Sequence, residues 1–341
     1  MAERRQLILD KYGLFLSKHS ERLRVKAEGQ IVEEVPLMHL ESVLITSRGV
    51  GISSDAIEVC AETGIDIVFI AGNGDVYGRL GSPTLVGTVK TRREQMISLG
   101  DKRGLILGKA FAGGKICNQR NLLKYFARYR KAVDRDLYLI MDEACKKLEE
   151  LEKDLVAIEG ENIDSVREQI LSVEGRSSAV YWDAVKGMLG EEVEWKGREG
   201  RGARDPINSA LNYGYGILYG QVEKSVVLAG LDPYAGFIHT DRAGKPSLVL
   251  DLIEEFRQQV VDRAVFAMIG KGSEISVNEE GMLEEKSRKG IAQKVFERLD
   301  GDERYEGMKQ KIKTILLKQA QAIASFLRGD RGGYKPFVGL W

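Results

Sequence analysis

The chain has 341 residues, with 51 basic and 51 acidic side chains and a hydrophobic content of 43%. This hydrophobic content excludes a disordered protein, and the length favours two domains over one. No long apolar run is present, even near the N-terminus, so we expect neither a membrane span nor a secretory signal. Its three widely spaced cysteines, Cys60, Cys117 and Cys145, argue against a disulfide framework or a cysteine zinc site and indicate a cytoplasmic protein.

Residues 1–85 are predicted to form a small β-rich domain. Short apolar or β-branched runs separated by polar turns predict strands at Gln6–Leu9, Leu14–Ser17, Leu23–Val25, Val43–Thr46 and Ile65–Ile70. Ser53–Thr63 is predicted to be a short helix. Ser53 or Ser54 can cap its N-terminus, and Gly64 can end it.

The stretch after the last of these strands is similar to a dinucleotide-binding fingerprint but does not match it. The glycines of Gly72–Gly78 have the spacing GxGxxxG, and strand-like Val76–Leu80 follows where a fingerprint requires a helix N-terminus. Asn73 and Gly74 are the preferred pair for a tight turn between two strands. We therefore predict a β-hairpin here.

Residues 86–341 are predicted to form a larger, all-helical domain, which makes the fold class α+β. From about Gly87 onward, the apolar spacing is mostly three and four. This spacing predicts helical segments at Leu105–Phe111, Leu122–Tyr129, Val133–Ala144 and Ile312–Phe326. Lys196–Asp205 is predicted to be a flexible loop, followed by a helix with Asp205 as N-cap and Pro206 in its first position.

The zero net charge hides strong segregation along the chain. Residues 90–135 hold 13 basic residues against three acids, residues 142–164 hold nine acids against three lysines, and residues 305–341 hold seven basic residues against two acids. Local basic surface of this kind is compatible with nucleic-acid binding. Solvated helix faces account for each run equally well.

A group of candidate metal ligands surrounds His239. A turn follows this histidine, and Ser247 can then cap a helix in which Asp251 and Glu254 share one face. Carboxylates beside an imidazole suit Mg²⁺ or Mn²⁺, because oxygen ligands favour hard cations and the imidazole favours Mn²⁺. The residues alone also describe a helix with a solvated acidic face beside a loop histidine, and on their own they favour that plainer interpretation.

Glu174 is a second carboxylate candidate. It lies between Val173 and Gly175 and is followed by Arg176. The small residues that come next would let another helix approach closely. Taken alone, Glu174 is equally explained as a surface glutamate paired with the arginine.

Several segments together resemble the CRISPR-associated integrase of spacer acquisition, CRISPR-associated protein one, which is also described as a metal-dependent DNA endonuclease. The matching segments span nearly the whole chain and are Leu9–Gly13, Gly64–Val68, Val173–Trp182, Asp205–Asn208, Leu211–Tyr215, Gly236–His239, Leu250–Glu254 and Phe256–Arg257. The order of a glutamate, a histidine and then a pair of acids is specific to this family. The family's β-rich N-terminal domain and helical catalytic domain agree with the predicted fold.

The resemblance implies a metal-dependent site. Glu174, His239 and Glu254 correspond to the three metal-binding residues, and Asp251 corresponds to a further catalytic acid one turn before Glu254. The metal would be Mn²⁺ or Mg²⁺. Because a histidine must be neutral to bind a metal, activity is expected to fall at acid pH.

The resemblance also implies partners. The chain would form a homodimer through its N-terminal domains, and two dimers would flank a dimer of the small ferredoxin-like CRISPR-associated protein two. The complex would bind double-stranded and branched DNA and insert short fragments into a CRISPR array by 3′-hydroxyl attack on a target phosphodiester. The residues considered for contacts with the DNA backbone are Arg92, Arg93, Arg198, Arg201, Arg204, Arg242 and Lys245.

Two other functions remain open from the sequence. The first is a metal-dependent nuclease acting on branched DNA in repair, which would need no 3′-hydroxyl. The second is a non-catalytic scaffold that binds nucleic acid, in which the acidic side chains are merely solvated.

Overall fold

The computed structural model describes residues 5–72, 76–81, 89–128, 130–190, 193, 195–200, 202–240 and 244–340. The N-terminal region within these residues is rich in strands. Its elements are β1 (Arg5–Leu9), β2 (Leu14–His19), β3 (Arg22–Ala27), β4 (Gln30–Pro36), β5 (Leu40–Ile45), β6 (Gly51–Ile52), α1 (Ser54–Thr63), β7 (Asp66–Ile70) and β8 (Val76–Leu80). A short 3₁₀ turn, Leu37–His39, connects β4 to β5.

Two four-stranded sheets enclose a common apolar core. One has the order β1-β5-β7-β8, in which β5 runs parallel to β1 and β7 while β8 is antiparallel to β7. The other has the order β4-β3-β2-β6. Alternation along β2 shows how the core forms, because Leu14 and Leu16 are buried while Phe15, between them, is 43% exposed.

Short-range signals in the sequence account for the helix and the hairpin of this region. The Ser53 hydroxyl accepts the Ala56 N–H at 3.3 Å, and Gly64 ends α1 with a φ of 71°, so both predicted caps are confirmed. The antiparallel pairing of β7 with β8 confirms the predicted hairpin. Asn73 and Gly74 lie outside the described residues.

The strand β4 was not expected from the sequence. It lies at the edge of its sheet, and its first four residues, which include Ile31 and Val32, are exposed. An edge strand with two solvated faces lacks the apolar alternation on which strand prediction depends.

The rest of the described chain is mostly helical, which confirms the α+β fold class. Its elements are α2 (Val89–Ser98), α3 (Lys102–Ala127), α4 (Arg135–Ala157), α5 (Arg167–Leu189), α6 (Pro206–Leu228), α7 (Ser247–Ile253), a π-helical turn (Gln258–Asp262), α8 (Arg263–Gly270), α9 (Glu285–Leu299), β9 (Asp302–Tyr305), β10 (Met308–Lys311) and α10 (Ile312–Leu327). The β9–β10 hairpin was not predicted, because its residues are almost all polar.

Several helix boundaries differ from the predicted ones. The segments predicted around Leu105 and Leu122 belong to one helix, α3, while α4 begins two residues after Val133, with Asp134 as its N-cap. Asp205 and Pro206 begin α6 as predicted, with the Asp205 carboxylate accepting the Asn208 N–H at 2.9 Å. The preceding loop has no regular secondary structure in its described residues.

The helix α6 joins the β-rich and helical regions. It is buried on most of its faces and packs against α7, α9 and α10 as well as β7 and β8. Val68 of β7 lies against Gly220 of α6, and Leu44 and Ile70 also belong to the core of the helical region. The predicted domain boundary at residues 85–86 lies outside the described residues.

Of the helices that the structure describes, none combines the length and the apolar character needed to cross a bilayer.

Candidate metal centre and nucleic-acid interface

Asp251 organises the loop that precedes α7. Its completely buried carboxylate accepts the main-chain N–H groups of Phe237, Ile238 and His239 at 2.5, 3.1 and 3.0 Å. It also lies 2.7 Å from Nδ1 of the His239 ring. A carboxylate bound to one ring nitrogen sets the orientation of a histidine and leaves Nε2 for a ligand. Asp251 therefore has the contacts of a residue that positions His239.

The loop approaches α7 most closely at Gly236. A Cβ here would lie 2.6 Å from the carbonyl carbon of Ser247 and 2.9 Å from Asp251 Oδ2, so only glycine fits. The prediction that Ser247 caps α7 is wrong. Its hydroxyl accepts the Gly236 N–H at 2.9 Å and donates to the Tyr234 carbonyl, while Pro246 holds the N-cap position without a side-chain bond. The hydroxyl binds the loop because the loop crosses the start of the helix.

Two carboxylates from different helices meet at one lysine. Glu174 of α5 and Glu254, the residue after α7, both contact the ammonium group of Lys115 on α3. Lys115 Nζ is 2.9 Å from Glu254 Oε2 and donates a hydrogen bond to Glu174 Oε1. The exposed fractions of the side chains are 13% for Lys115, 9% for Glu254 and 22% for Glu174. The packing of α3, α5 and α7 therefore unites two of the predicted ligands.

Neighbouring cations keep Glu254 ionised. Burial by itself would raise the pKa of this carboxyl, but the charges of Arg257 and Lys115, with a smaller contribution from His239, lower it to about 2. Arg257 Nε donates to Glu254 Oε1 at 2.9 Å. Asp251, one turn before Glu254 at the end of α7, links His239 to this group through its contact with the ring. His239 and the two glutamates thus form one candidate site.

This donor set fits a divalent cation. Glu174 and Glu254 converge on a cationic group, the Lys115 ammonium, which stands where a shared positive ion would lie, and His239 supplies a nitrogen donor. In the described part of the chain, however, no three His, Cys, Asp or Glu side chains are close enough together to hold a metal ion. Joint ligation by the three residues therefore requires their side chains to come closer together, and Lys115 to leave its place between the two glutamates.

Sequence reasoning missed Lys115 and Arg257 as members of this site. In the sequence, Lys115 is one of 13 basic residues in 90–135. A signal was present, since Lys115 occupies a helical position in line with the buried residues Phe111, Asn118 and Leu122, where an apolar side chain is normal.

The basic stretch 90–135 is partly an internal ion-pair network. Besides Lys115, Arg103 pairs with Glu94 and Asp101, and Arg120 pairs with Glu152 of α4. These contacts reduce the number of basic side chains that the stretch can offer to DNA. Arg92 and Arg93 are exposed on α2.

A cavity of about 1250 Å³ lies between the β-rich and helical regions and collects other predicted DNA contacts. Arg198, Arg204 and Lys245 line it, and sequence reasoning did not single out Arg79 and Arg257, which line it too. Its aromatic lining residues are Tyr77, Tyr215, Tyr219 and Tyr234. Arg201 and Arg242 lie outside the described residues. The cavity therefore combines cations with aromatic rings, the two features used to bind nucleic-acid strands.

The predicted DNA contact Arg198 is engaged within the protein. Its guanidinium lies 5.4 Å from the Tyr215 ring and 5.9 Å from the Trp182 ring, and it donates to Asn212 Oδ1 at 2.7 Å. Asn208 and Asn212 also donate to the carbonyls of the 196–205 loop. Arg198 thus anchors the loop to α6, whereas Arg204 of the same loop is exposed.

Comparisons with known proteins agree with this architecture. The family described as CRISPR associated protein Cas1 matches residues 7–297. The chain is 40% identical to the CRISPR-associated endonuclease Cas1 1 of Archaeoglobus fulgidus, over 98% of this chain and 100% of that protein.

Solved structures share the fold. A casposase bound to integration product has a TM-score of 0.82 at 21% identity, covering 97% of this chain and 92% of that one. A chain of a Cas6-RT-Cas1–Cas2 complex has a TM-score of 0.78 at 19% identity, covering 100% of this chain and 37% of that one.

Proposed function

The chain belongs to the family of CRISPR associated protein Cas1, and from that premise we propose that it is a metal-dependent DNA endonuclease and integrase that inserts short DNA fragments into a CRISPR array. The observation that carries this proposal is the convergence of Glu174 and Glu254 on one cationic position, beside Asp251, which lies one turn before Glu254 and orients His239. The name of the Archaeoglobus relative, an endonuclease, supports the same class of chemistry.

Glu174, His239 and Glu254 would hold a Mn²⁺ or Mg²⁺ ion. When bound, such an ion polarises a phosphoryl oxygen, lowers the pKa of an attacking hydroxyl and neutralises the charge that develops. Asp251 holds the His239 ring with Nε2 available, and Arg257 holds Glu254 Oε1, the oxygen that Lys115 does not contact. The attacking group in this proposal is the 3′-hydroxyl of the incoming DNA, so no protein nucleophile is needed.

Nucleic acid would be bound on two surfaces. Arg204 and Lys245 would contact phosphates along the cavity, and Arg92 and Arg93 would do so on α2. The exposed rings of Tyr77 and Tyr234 offer faces on which unpaired bases can stack. Double-stranded and branched DNA are the proposed substrates.

We also propose that the chain acts as a homodimer, formed through its N-terminal region, together with a small ferredoxin-like CRISPR-associated protein two. Similarity to a chain of a Cas6-RT-Cas1–Cas2 complex supports a partner of this kind.

A donor duplex that lacks its 3′-hydroxyl is expected to bind but not to join the target. Phosphate contacts dominate affinity and are unchanged by 3′-deoxy or 3′-phosphate ends, whereas the attacking group is lost. The measurement is a strand-transfer gel with labelled donor, the partner protein and a repeat plasmid, in Mn²⁺ and in excess chelator. Branched products should appear only with the normal donor and the metal.

Each other outcome of that gel points to another function. Equal nicking of the target with both donors would favour a repair nuclease that uses water. Absence of any metal-dependent product, with DNA binding retained, would favour a scaffold. Full activity in excess chelator would refute the metal centre.

Replacing Arg204 and Lys245 by alanine is expected to flatten the dependence of DNA affinity on salt. Each phosphate contact contributes about 0.9 to the slope of log affinity against log salt, so the double variant should lose about two in slope. The same loss is expected when Arg92 and Arg93 are replaced. Fluorescence anisotropy titrations over a range of salt concentrations measure this slope.

Lys146 and Lys147 provide the matched control for these titrations. They are exposed, at 66% and 57%, but pair with acids one turn away on the acidic helix α4. Replacing both removes two charges and should leave the slope unchanged. If an arginine or lysine pair from the proposed surfaces behaves as this control does, DNA does not bind at that surface.

A further inference from the structure

Lys115 is the cation that pairs the two predicted carboxylate ligands. Its ammonium contacts Glu174 Oε1 and Glu254 Oε2, from helix α5 and from the end of α7 respectively. Because it is paired with two carboxylates, the lysine is charged in the metal-free protein. Without it, the two carboxylates would repel each other.

The backbone of Lys115 is fixed, whereas its side chain has four rotatable bonds. A Cβ on the preceding residue, Gly114, would lie 2.8 Å from Pro336 Cβ and 3.1 Å from Glu255 Cγ, so α3 lies tightly against the C-terminal segment and the end of α7. Asn118, one turn later, donates to the carbonyls of Glu255 and Phe337, each at 2.8 Å. A lysine on a fixed helix can still swing its ammonium through four flexible bonds.

The lysine and a metal would compete for the same two carboxylates. Lys115 and Arg257 balance two of the three carboxylates of Glu174, Glu254 and Asp251, so a divalent ion added to this arrangement would leave one uncompensated positive charge and would share both glutamates with the Lys115 ammonium. Arg257 cannot easily leave, because it donates to Glu254 and its guanidinium lies 4.5 Å from the Tyr215 ring. Lys115 is the cation that can move.

We propose that Lys115 is the counter-cation of the metal centre. While the metal is absent, its ammonium bridges Glu174 and Glu254. When the metal binds, the side chain rotates and the ammonium pairs with a phosphate of bound DNA. This inference rests on the proposed function and deepens it. Lys115 is then a positioning residue that couples metal binding to DNA binding, because DNA supplies the displaced ammonium with a new partner. Metal and DNA should therefore bind cooperatively, each strengthening the other by the same factor.

The test measures Mn²⁺ affinity by calorimetry, with and without a duplex whose 3′ ends are deoxy, so that no reaction occurs. For the unaltered protein, the duplex should tighten Mn²⁺ binding by about tenfold, within the range usual for coupled sites. Lys115→Met should bind Mn²⁺ about tenfold more tightly without DNA, since no ammonium competes, and should gain little from the duplex. Lys109→Met is the matched control, because Lys109 lies on the same helix and donates to the main-chain carbonyls of Val156 and Ile158.

A second variant keeps the test decisive if Lys115→Met does not fold. Lys115→Arg retains the charge and presents a planar fork that holds carboxylates more firmly, so Mn²⁺ binding without DNA should be weaker than in the unaltered protein. A merely structural lysine would make both variants weaker. Thermal unfolding should show a lower melting temperature for metal-free Lys115→Met and a larger rise on adding Mn²⁺.

The outcomes separate this inference from the proposed function. Mn²⁺ binding that is lost in Glu254→Gln but unchanged or weakened in Lys115→Met would overturn the role of Lys115 and leave the metal centre intact. Equal tightening by the duplex in the unaltered protein and in Lys115→Met would also overturn it. Absence of Mn²⁺ binding in every variant would overturn the metal centre and this inference with it.

Discussion

Replacing Glu254 by alanine is expected to lower strand transfer by about 10²–10³-fold, the loss typical of removing one preorganised electrostatic group from an active site. Glu254 is ionised and buried, and it is the carboxylate that both Arg257 and Lys115 contact. Without it, a metal ion loses one of three proposed ligands. Glu174→Ala and His239→Ala should have effects of similar size for the same reason.

The ligands should act as a unit. If all three hold one ion, a double variant loses little more than a single one, so the effects will not add. Strand-transfer rates of the single and double variants measure this, while anisotropy in metal-free buffer should show that DNA affinity is nearly unchanged. Glu254→Gln, which keeps the volume and removes the charge, guards against a folding defect.

Glu152→Ala is the matched control for these variants. Glu152 of α4 forms an ion pair with Arg120 of α3 and is partly buried, like Glu174. It lies outside the site. Its replacement should leave strand transfer within a few fold of the unaltered protein. Near-normal transfer by Glu174→Ala or Glu254→Ala would refute the proposed ligand set.

Replacing Asp251 by alanine is expected to destabilise the protein by about 3 kcal/mol or more, because three buried main-chain N–H groups lose their acceptor at a cost of at least about 1 kcal/mol each. The His239 ring also loses its partner. Loss of such a supporting contact lowers metal affinity by about 10–100-fold. Asp251→Asn should fall between the alanine variant and the unaltered protein, since it keeps one acceptor oxygen.

Thermal unfolding and Mn²⁺ calorimetry together test the role of Asp251. Asp205→Ala is the control, because Asp205 also accepts a main-chain N–H, as the N-cap of α6, and its loss should cost about 1 kcal/mol. Metal affinity should be unchanged in that control. If Asp251→Asn is as stable as the unaltered protein and binds Mn²⁺ equally well, Asp251 does not position His239.

The sequence predicted that Asp251 belongs to the site but not which groups it contacts. Its spacing from Glu254 suggested a shared helix face, and the family resemblance suggested a catalytic acid. The contacts with Phe237, Ile238 and His239 depend on a loop that folds back across α7, which Gly236 permits. A loop of this kind has no periodicity, so its path cannot be inferred from spacing.

The sequence by itself determined the elements whose causes are local. Ser53, Gly64 and the pair Asp205–Pro206 mark helix ends through contacts within one turn, and the hairpin of β7 and β8 follows from a short turn between two apolar runs. It also determined the family, because the order of glutamate, histidine and acids is written along the chain. These signals can be recognised in the sequence alone, since each involves neighbouring residues or their order.

Only the tertiary structure decided which charged side chains face one another. Lys115 and Glu174 are 59 positions apart, and their contact arises from the packing of α3 against α5. The same packing turns Lys115, Arg103 and Arg120 of the basic stretch toward acidic partners and leaves Arg92 and Arg93 exposed. The charge pattern of a sequence does not show which way each side chain points. The partner of a buried charged side chain depends on which helix packs against it.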